Sequence, residues 1–240
     1  MNLREKPVHQ QTALITGGAT GIGRAFTEAL LENGIGAVVI ASRRQSVVDE
    51  AARELNAKFG QRVFPYSFDV RNKELTKILV NYTLEKLGVV DLLINNSGLA
   101  VPETVLEITD DGWDKVLETN LRGAMWLTQL LLPKMLEQDF GDIVNISSQA
   151  GKNGYADVPS YCAAKFGLLG FAESVRDDVR KRGANIRIFN FCPGLVDVET
   201  PPDEEARAGF IHVRNMAKTL IYALMLNRNV ILEDLNLYSR

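Results

Sequence analysis

The segment Thr16-Gly17-Gly18-Ala19-Thr20-Gly21-Ile22-Gly23 limits the folds open to this chain more than any other stretch. It joins a short apolar run, Thr12–Thr16, to a helical pattern over Gly21–Glu32. Its Gly-x-x-x-Gly-x-Gly spacing lets the backbone reverse tightly and lets other groups approach it closely. A strand that turns so abruptly into a helix lays that helix back across its own sheet, and the next strand then runs parallel to the first. The alternation continues to the end of the sequence. Strand-like runs cover Thr12–Thr16, Ala37–Ser42, Arg62–Asp69, Val90–Asn95, Asp142–Ser147, Asn185–Cys192 and Val230–Leu237. Helices are read between them at Gly21–Glu32, Gln45–Phe59, Asn72–Lys86, Asp110–Leu136, Ser160–Lys181 and Val213–Leu226. Such alternation predicts an α/β protein whose parallel sheet is covered by helices on both faces.

With 46% apolar residues among 240, the chain has material for one sizeable core. No repeat, low-complexity tract or linker divides it, so residues 1–240 are read as a single domain. The net charge of −3 gives no basic footprint for nucleic acid. No apolar run approaches the roughly 20 residues that span a bilayer. Met1 to Gln10 is polar, without a signal-peptide core. Two cysteines, Cys162 and Cys192, make no disulfide framework, and a cytoplasmic protein with reduced thiols is expected. Cys162 has no histidine close in sequence, since His9 and His212 are the only ones, so a packing role is expected for it. No metal cluster is visible.

A strand, a glycine turn and a helix in succession form the layout of a dinucleotide site. Gly17 permits the turn, Gly21 lets backbone approach a pyrophosphate, and Gly23 allows close helix–strand packing. The N-terminus of the helix then faces the phosphate charge. The second strand ends Ile40-Ala41-Ser42-Arg43-Arg44, and no acid stands between Gly34 and Gln45. NAD is usually gripped there by a carboxylate on the ribose 2′-hydroxyl. Ser42, Arg43 and Arg44 suit a 2′-phosphate instead, which predicts NADP(H).

Tyr161 and Lys165 lie in Ser160-Tyr161-Cys162-Ala163-Ala164-Lys165, on one face of the helix read there. An ammonium beside a phenol favours phenolate and lowers the tyrosine pKa, making a usable proton donor. Ser148 follows a strand and can place its hydroxyl near a substrate carbonyl, although its twin Ser147 competes for that role. Asn120 interrupts a helical pattern, where asparagine competes for backbone bonds. Two helices are apolar nearly all round, which implies either a deep core or a subunit interface.

From about Gln11 to Gly194 the chain resembles the short-chain dehydrogenase/reductase family. The matching segments appear in order: the glycine loop, Asp69-Val70, Asn95-Asn96-Ser97-Gly98, Asn120, Ser148, Tyr161 with Lys165, and Pro193-Gly194. The resemblance implies a doubly wound Rossmann fold and an oxidoreductase. It implies a catalytic set of Asn120, Ser148, Tyr161 and Lys165. For the cofactor it implies Thr20, Ile22, Asp69, Val70, Asn96, Ser97, Gly98, Pro193, Gly194 and Val196 beside the three loop glycines and Ser42, Arg43 and Arg44. Asp69 and Val70 are assigned to adenine. Tyr161 would protonate the carbonyl oxygen that Ser148 polarises. Lys165 would lower the tyrosine pKa and hold the nicotinamide ribose, and Asn120 would kink its helix and hold a water near the lysine. The helices containing Leu121–Leu132 and Tyr161–Ala172 would join homodimers or homotetramers. The activity expected is NADP(H)-dependent reduction of a carbonyl on a small molecule. A 3-oxoacyl-thioester reductase is the alternative, and a non-catalytic NADP(H)-binding regulator a further one. Three departures stand out. Ser97 replaces the alanine of the family motif, and Val198 stands where relatives carry a threonine, with Thr200 nearest. The loop Pro201 to Ile211 is short and poor in aromatics, which suggests a small lid.

Overall fold

A computed structural model describes residues 5–198 and 209–239. The strands are β1 (Thr12–Thr16), β2 (Ala37–Ser42), β3 (Val63–Ser67), β4 (Leu92–Asn95), β5 (Gly141–Ile146), β6 (Ile186–Pro193), β7 (Val196–Asp197), β8 (Ile211–His212) and β9 (Asp234–Leu237). The helices are α1 (Gly21–Glu32), α2 (Gln45–Phe59), α3 (Lys73–Leu87), α4 (Asp110–Leu117), α5 (Gly123–Gln138), α6 (Pro159–Lys181) and α7 (Val213–Met225). Seven strands form one sheet in the order β3-β2-β1-β4-β5-β6-β9, and every neighbouring pair in it is parallel. The doubly wound arrangement expected from the sequence is therefore the one observed.

Side-chain alternation along the strands builds two cores. Ala13 and Ile15 of β1 point to one face, where Phe26 and Leu30 of α1, Leu55 of α2 and Leu220 of α7 cover them. Leu14 points to the other, against Leu79 of α3, Leu127 and Leu131 of α5 and Ala172 of α6. β4, β5 and β6 lie inside the sheet with helices on both faces, so they are buried along their whole length, and their few polar side chains pair with one another.

The structure departs from the sequence reading in three places. The helix expected over Asp110–Leu136 is α4 and α5 joined by a π-helical turn at Glu118–Arg122, where the Gly123 N–H bonds the Glu118 carbonyl. Such turns occur as single insertions in α-helices, often at functional sites. The last strand begins at Asp234, not Val230, because residues 230–233 make no ladder with β6 beyond a single Asn190 N–H to the Glu233 carbonyl. A small parallel pair, β7 with β8, was not foreseen. Thr200 and residues 201–208, on which the lid and part of the cofactor reading fell, lie outside the described residues. Among the described residues no helix is long and apolar enough to cross a membrane.

Candidate active site

The C-terminal ends of β1 to β4 and the turns after them enclose a cleft of about 230 Å³. Gly17, Thr20, Ser42, Arg43, Arg44, Asp69, Val70, Asn96, Ser97 and Gly98 line it, as the sequence reading grouped them. Val47, Phe68, Leu99 and Thr119 line it too, and no sequence signal marked them. The glycine turn is shaped for close approach. Gly17 and Gly21 have φ of 64° and 54°, left-handed values that side chains resist. A Cβ on Gly23 would collide with the Gly17 carbonyl and the Asn96 amide. Asn96 braces the turn, donating from Nδ2 to the Thr16 carbonyl at 2.9 Å. Thr16 Oγ1 in turn accepts the N–H groups of Asn96 and Ser97, each at 3.0 Å.

The donors at the cleft fit an anionic dinucleotide. Thr20 caps α1 without a side-chain bond, and no acid stands in the helix's first turn, so its N-terminal field is left for a ligand anion. Ile22 packs against the core from the same turn. Ser42 Oγ is buried with no hydrogen-bond partner. Arg43 and Arg44 are exposed beside it, and the Arg43 carbonyl is fixed by Ser67 Oγ at 3.0 Å. Asp69 is more engaged than the sequence suggested. Arg71 donates to it from Nε at 3.1 Å to both oxygens and from Nη2 at 2.7 Å. These bonds hold the Asp69 carboxyl below its usual range. Any adenine contact by this carboxylate is shared with Arg71.

At the far end of the cleft Asn120 and Lys165 converge on Gly98, with Tyr161 beside the lysine and Ser148 beside the tyrosine. The buried Asn120 sits in the π turn, donates from Nδ2 to the carbonyls of Leu99 at 2.7 Å and Val116 at 2.9 Å, and accepts the Leu99 N–H at 3.3 Å. A Cβ on Gly98 would stand 2.8 Å from Asn120 Oδ1 and 3.6 Å from Lys165 Nζ, so both groups approach one point. Ser147 is buried and donates to the Lys165 carbonyl at 3.3 Å, whereas Ser148 is half-buried and open to the site. Of the twins, Ser148 is thus the one with an accessible hydroxyl. Ser148 Oγ accepts the Ala150 N–H at 3.1 Å, so its own proton is directed to the Tyr161 oxygen or to a ligand that replaces it.

Burial pushes the Tyr161 phenol up, while hydrogen bonding with Ser148 pulls it down and loses. Lys165 Nζ lies 5.3 Å from the centre of the tyrosine ring and donates instead to the Ile146 carbonyl at 2.7 Å. Burial lowers the lysine to about 8. The expected lowering of the tyrosine by the lysine is therefore not the balance seen here, because desolvation outweighs a cation held at that distance.

Besides Gly21, Ile22, Gly23, Tyr161 and Lys165, three more predicted cofactor residues lie outside the cleft lining. Pro193 ends β6, Gly194 donates its N–H to the Leu237 carbonyl at 2.9 Å, and Val196 pairs with Ile211. Val198 lies beside the glycine turn, its side chain 3.5 Å from where a Cβ on Gly21 would stand. An isopropyl group there can donate no hydrogen bond. Cys162 and Cys192 are free and buried.

The sequence profile described as short chain dehydrogenase matches residues 11–209. The ketoacyl reductase HetN of Nostoc sp. is 33% identical over 237 residues, 94% of this chain and 81% of that protein. The 3-oxoacyl-acyl-carrier-protein reductase FabG of Haemophilus influenzae is 31% identical over 201 residues, 83% of this chain and 80% of its own length. The NADP-dependent 3-hydroxy acid dehydrogenase of Schizosaccharomyces pombe is 29% identical over 236 residues, 93% of this chain and 90% of its own. An X-ray structure of an alcohol dehydrogenase from the archaeon Thermococcus sibiricus, complexed with 5-hydroxy-NADP, has a TM-score of 0.87 at 24% identity, covering 95% of this chain and 96% of that one. At that identity the likeness speaks for the fold.

Proposed function

Because the chain belongs to the short chain dehydrogenase family, we propose that it is an NADP(H)-dependent reductase that turns a ketone into an alcohol. Oxidoreductase chemistry at C=O and CH–OH groups comes with the family; the direction, the cofactor and the residue roles are our reading. The observation that carries it is the hydrogen-bonded pair of hydroxyls, Ser148 and Tyr161, beside the buried Lys165.

A nicotinamide cofactor held by these residues would supply the hydride. Ser148, its lone pair occupied by the Ala150 N–H, donates to the substrate oxygen as charge develops there. Tyr161, protonated at neutral pH as any tyrosine is and held the more firmly so by burial, passes its proton to that oxygen. Lys165 stabilises the phenolate left behind and would hold the nicotinamide ribose. Asn120 fixes Leu99 and the floor of the site. At the other end, the glycine turn would hold the pyrophosphate, and Ser42, Arg43 and Arg44 the 2′-phosphate. The orphaned Ser42 hydroxyl and the NADP-dependent relative support that choice.

Tyr161→Phe removes only the acidic hydroxyl. It abolishes turnover of every accepted carbonyl while the Kd for NADPH stays that of the parent, and full activity of this variant sinks the assignment. Relatives named as ketoacyl and 3-oxoacyl reductases favour a second reading, reduction of a 3-oxoacyl thioester. Comparing kcat/KM for such thioesters with that for small ketones and diketones decides between the two. A non-catalytic NADP(H)-binding regulator is disfavoured by the retained Tyr161 and Lys165, and the same panel excludes it on any turnover. We further propose that two copies or four pack through the outer faces of α5 and α6, where Met125 and Phe166 are 37% and 47% exposed. The free thiols support a cytoplasmic setting.

A further inference from the structure

A polar rung crosses the sheet just below the site. Asn95, Asn145, Asn190 and Asp234 are register partners on the adjacent strands β4, β5, β6 and β9. Asn95 Nδ2 donates to Asn145 Oδ1 at 2.9 Å, Asn145 Nδ2 to Asn190 Oδ1 at 3.0 Å, and Asn190 Nδ2 to Asp234 Oδ1 at 2.8 Å. Every bond runs toward the carboxylate. Asn145 and Asn190 are fully buried, and in such surroundings aligned amides polarise one another and strengthen the chain. Three residues beyond the rung stand Gly98 in the loop after β4, Ser148 just after β5 and Pro193 at the end of β6. The rung therefore sets the relative height of the strand ends that carry the site.

The carboxylate also reaches past the sheet. Its second oxygen takes Lys152 Nζ at 2.8 Å. Lys152 closes the turn that follows Ser148, where Ser148 Oγ caps the Ala150 N–H and the Lys152 N–H returns to the Gln149 carbonyl at 3.0 Å. Inside the same turn Gln149 Nε2 bonds the Cys192 carbonyl at 2.6 Å, tying it to β6. Burial raises the Asp234 carboxyl, but its bonds from Lys152 and Asn190 outweigh this and keep it ionised. An ion pair about a third exposed adds little stability by itself. Its geometric effect is larger, because it clamps the far end of a turn whose near end is Ser148.

We propose that Asp234, acting through Lys152, is a positioning residue for Ser148, so that the C-terminal strand sets the aim of the hydroxyl that faces the substrate oxygen. This rests on the reading of Ser148 given above. Three variants test it: Asp234→Asn, which keeps the acceptor for Asn190 but loses the charge, Lys152→Met, and the conservative Lys152→Arg. Misaiming a reacting group by about an ångström lowers rates on the order of a hundredfold. The first two variants therefore lose about ten- to a hundredfold in kcat, with the Kd for NADPH unchanged, and Lys152→Arg regains most of it. In hydrogen exchange the amides of Gln149–Asn153 exchange faster in the first two variants, while those of β5 and β6 stay protected. Parental kcat and exchange in both overturn the proposal. So does a loss of kcat that merely follows a loss of folded protein and that arginine does not rescue. Lys152 is partly exposed, so its variants fold even where Asp234→Asn does not. The exchange measurement needs no substrate. Should the parent reduce no carbonyl, faster exchange still upholds the clamp while the functional reading falls, and unchanged exchange removes the clamp.

Discussion

Lys165 aims its ammonium at the carbonyl of Ile146, 2.7 Å away, and not at the hydroxyl of Tyr161, over whose ring it lies at 5.3 Å. The two groups consequently titrate in an order opposite to the simple expectation. Burial drops the lysine to about 8, and burial lifts the tyrosine above its ordinary value. In the free enzyme the first proton lost on raising the pH is therefore the lysine's.

That order predicts the alkaline limb of carbonyl reduction. Below pH 8 Lys165 is charged and can stabilise the developing phenolate; above it, the neutral amine cannot. The kcat/KM for reduction falls as pH rises through about 8, while Tyr161 is still protonated. A pH profile of kcat/KM checks this, with Lys165→Arg as the control. Arginine keeps its charge throughout, so whatever activity that variant retains shows no limb near 8. A limb that persists in Lys165→Arg assigns the step to another group.

The same burial has a cost in stability. The folded pKa of Lys165 lies below that of the unfolded chain, so between about 8 and 10.5 the unfolded state binds more protons. Stability contributed at this site rises with pH across that window and is penalised below it. Lys165→Met removes the charge and leaves one carbonyl unbonded, a smaller penalty than on the order of 3 kcal/mol for charging the buried amine. The variant is inactive yet melts higher than the parent at pH 7, and the gap narrows as pH approaches 10. Thermal melts of the cofactor-free proteins at three pH values test this, and a variant less stable at pH 7 refutes it.

Much of this was legible from residue order, and the exceptions share a cause. The glycine turn and the alternating runs are local signals, because each strand buried on both faces must be largely apolar and each turn must be tight. The π turn at Asn120 was not legible as structure, since one shifted hydrogen bond leaves the apolar pattern on either side intact. Ser148 could be told from Ser147 only by the spacing to Tyr161; the burial that separates them depends on α6 packing over the strand end. The direction of Lys165 and the Arg71 grip on Asp69 are rotamer choices, which sequence spacing does not determine. Asn95 alone reads as an asparagine that braces the sheet, but the rung from Asn95 to Asp234 needs the register of four strands.

Ser42 offers a separate test of the cofactor. Its hydroxyl is buried without a partner, so Ser42→Ala removes an unpaired polar group and leaves the melting temperature of the free protein unchanged or higher. With NADPH the hydroxyl has a partner to lose. Replacing both Arg43 and Arg44 by alanine strips the 2′-phosphate of a charge-assisted bond worth roughly 1.5–3 kcal/mol, whichever guanidinium makes it, a ten- to hundredfold rise in KM for NADPH. The KM for NADH barely moves. Steady-state kinetics with both cofactors decide the matter, and an unchanged preference in the double variant rejects NADP(H).

The opposite end of the sheet holds the largest predicted loss of stability. Asp142, wholly buried near the start of β5, takes Arg187 Nε at 2.6 Å and Nη2 at 3.1 Å, and Arg228 Nη1 at 3.2 Å to each oxygen. One carboxylate thus serves two guanidinium groups. The remaining donors go to carbonyls. Arg187 bonds those of Leu224 and Leu226 at 3.2 and 3.0 Å, at the end of α7 where the helix dipole is negative. Arg228 bonds Gly141 and Asn185 at 2.8 and 2.9 Å and stacks over Phe140 at 4.2 Å. Asp142→Asn takes from two buried cations their one buried anion, leaving only the exposed Glu5 near Arg228, a change that costs about 3–5 kcal/mol. Arg228→Met keeps a one-to-one pair of Arg187 with Asp142 and restores apolar contact with Phe140, so it loses less. Because this cluster lies below the strands and the site above them, NADPH affinity of the folded fraction is unchanged in both. Urea denaturation ranks the variants, and an Asp142→Asn protein as stable as Arg228→Met would show that the carboxylate is not what neutralises the pair.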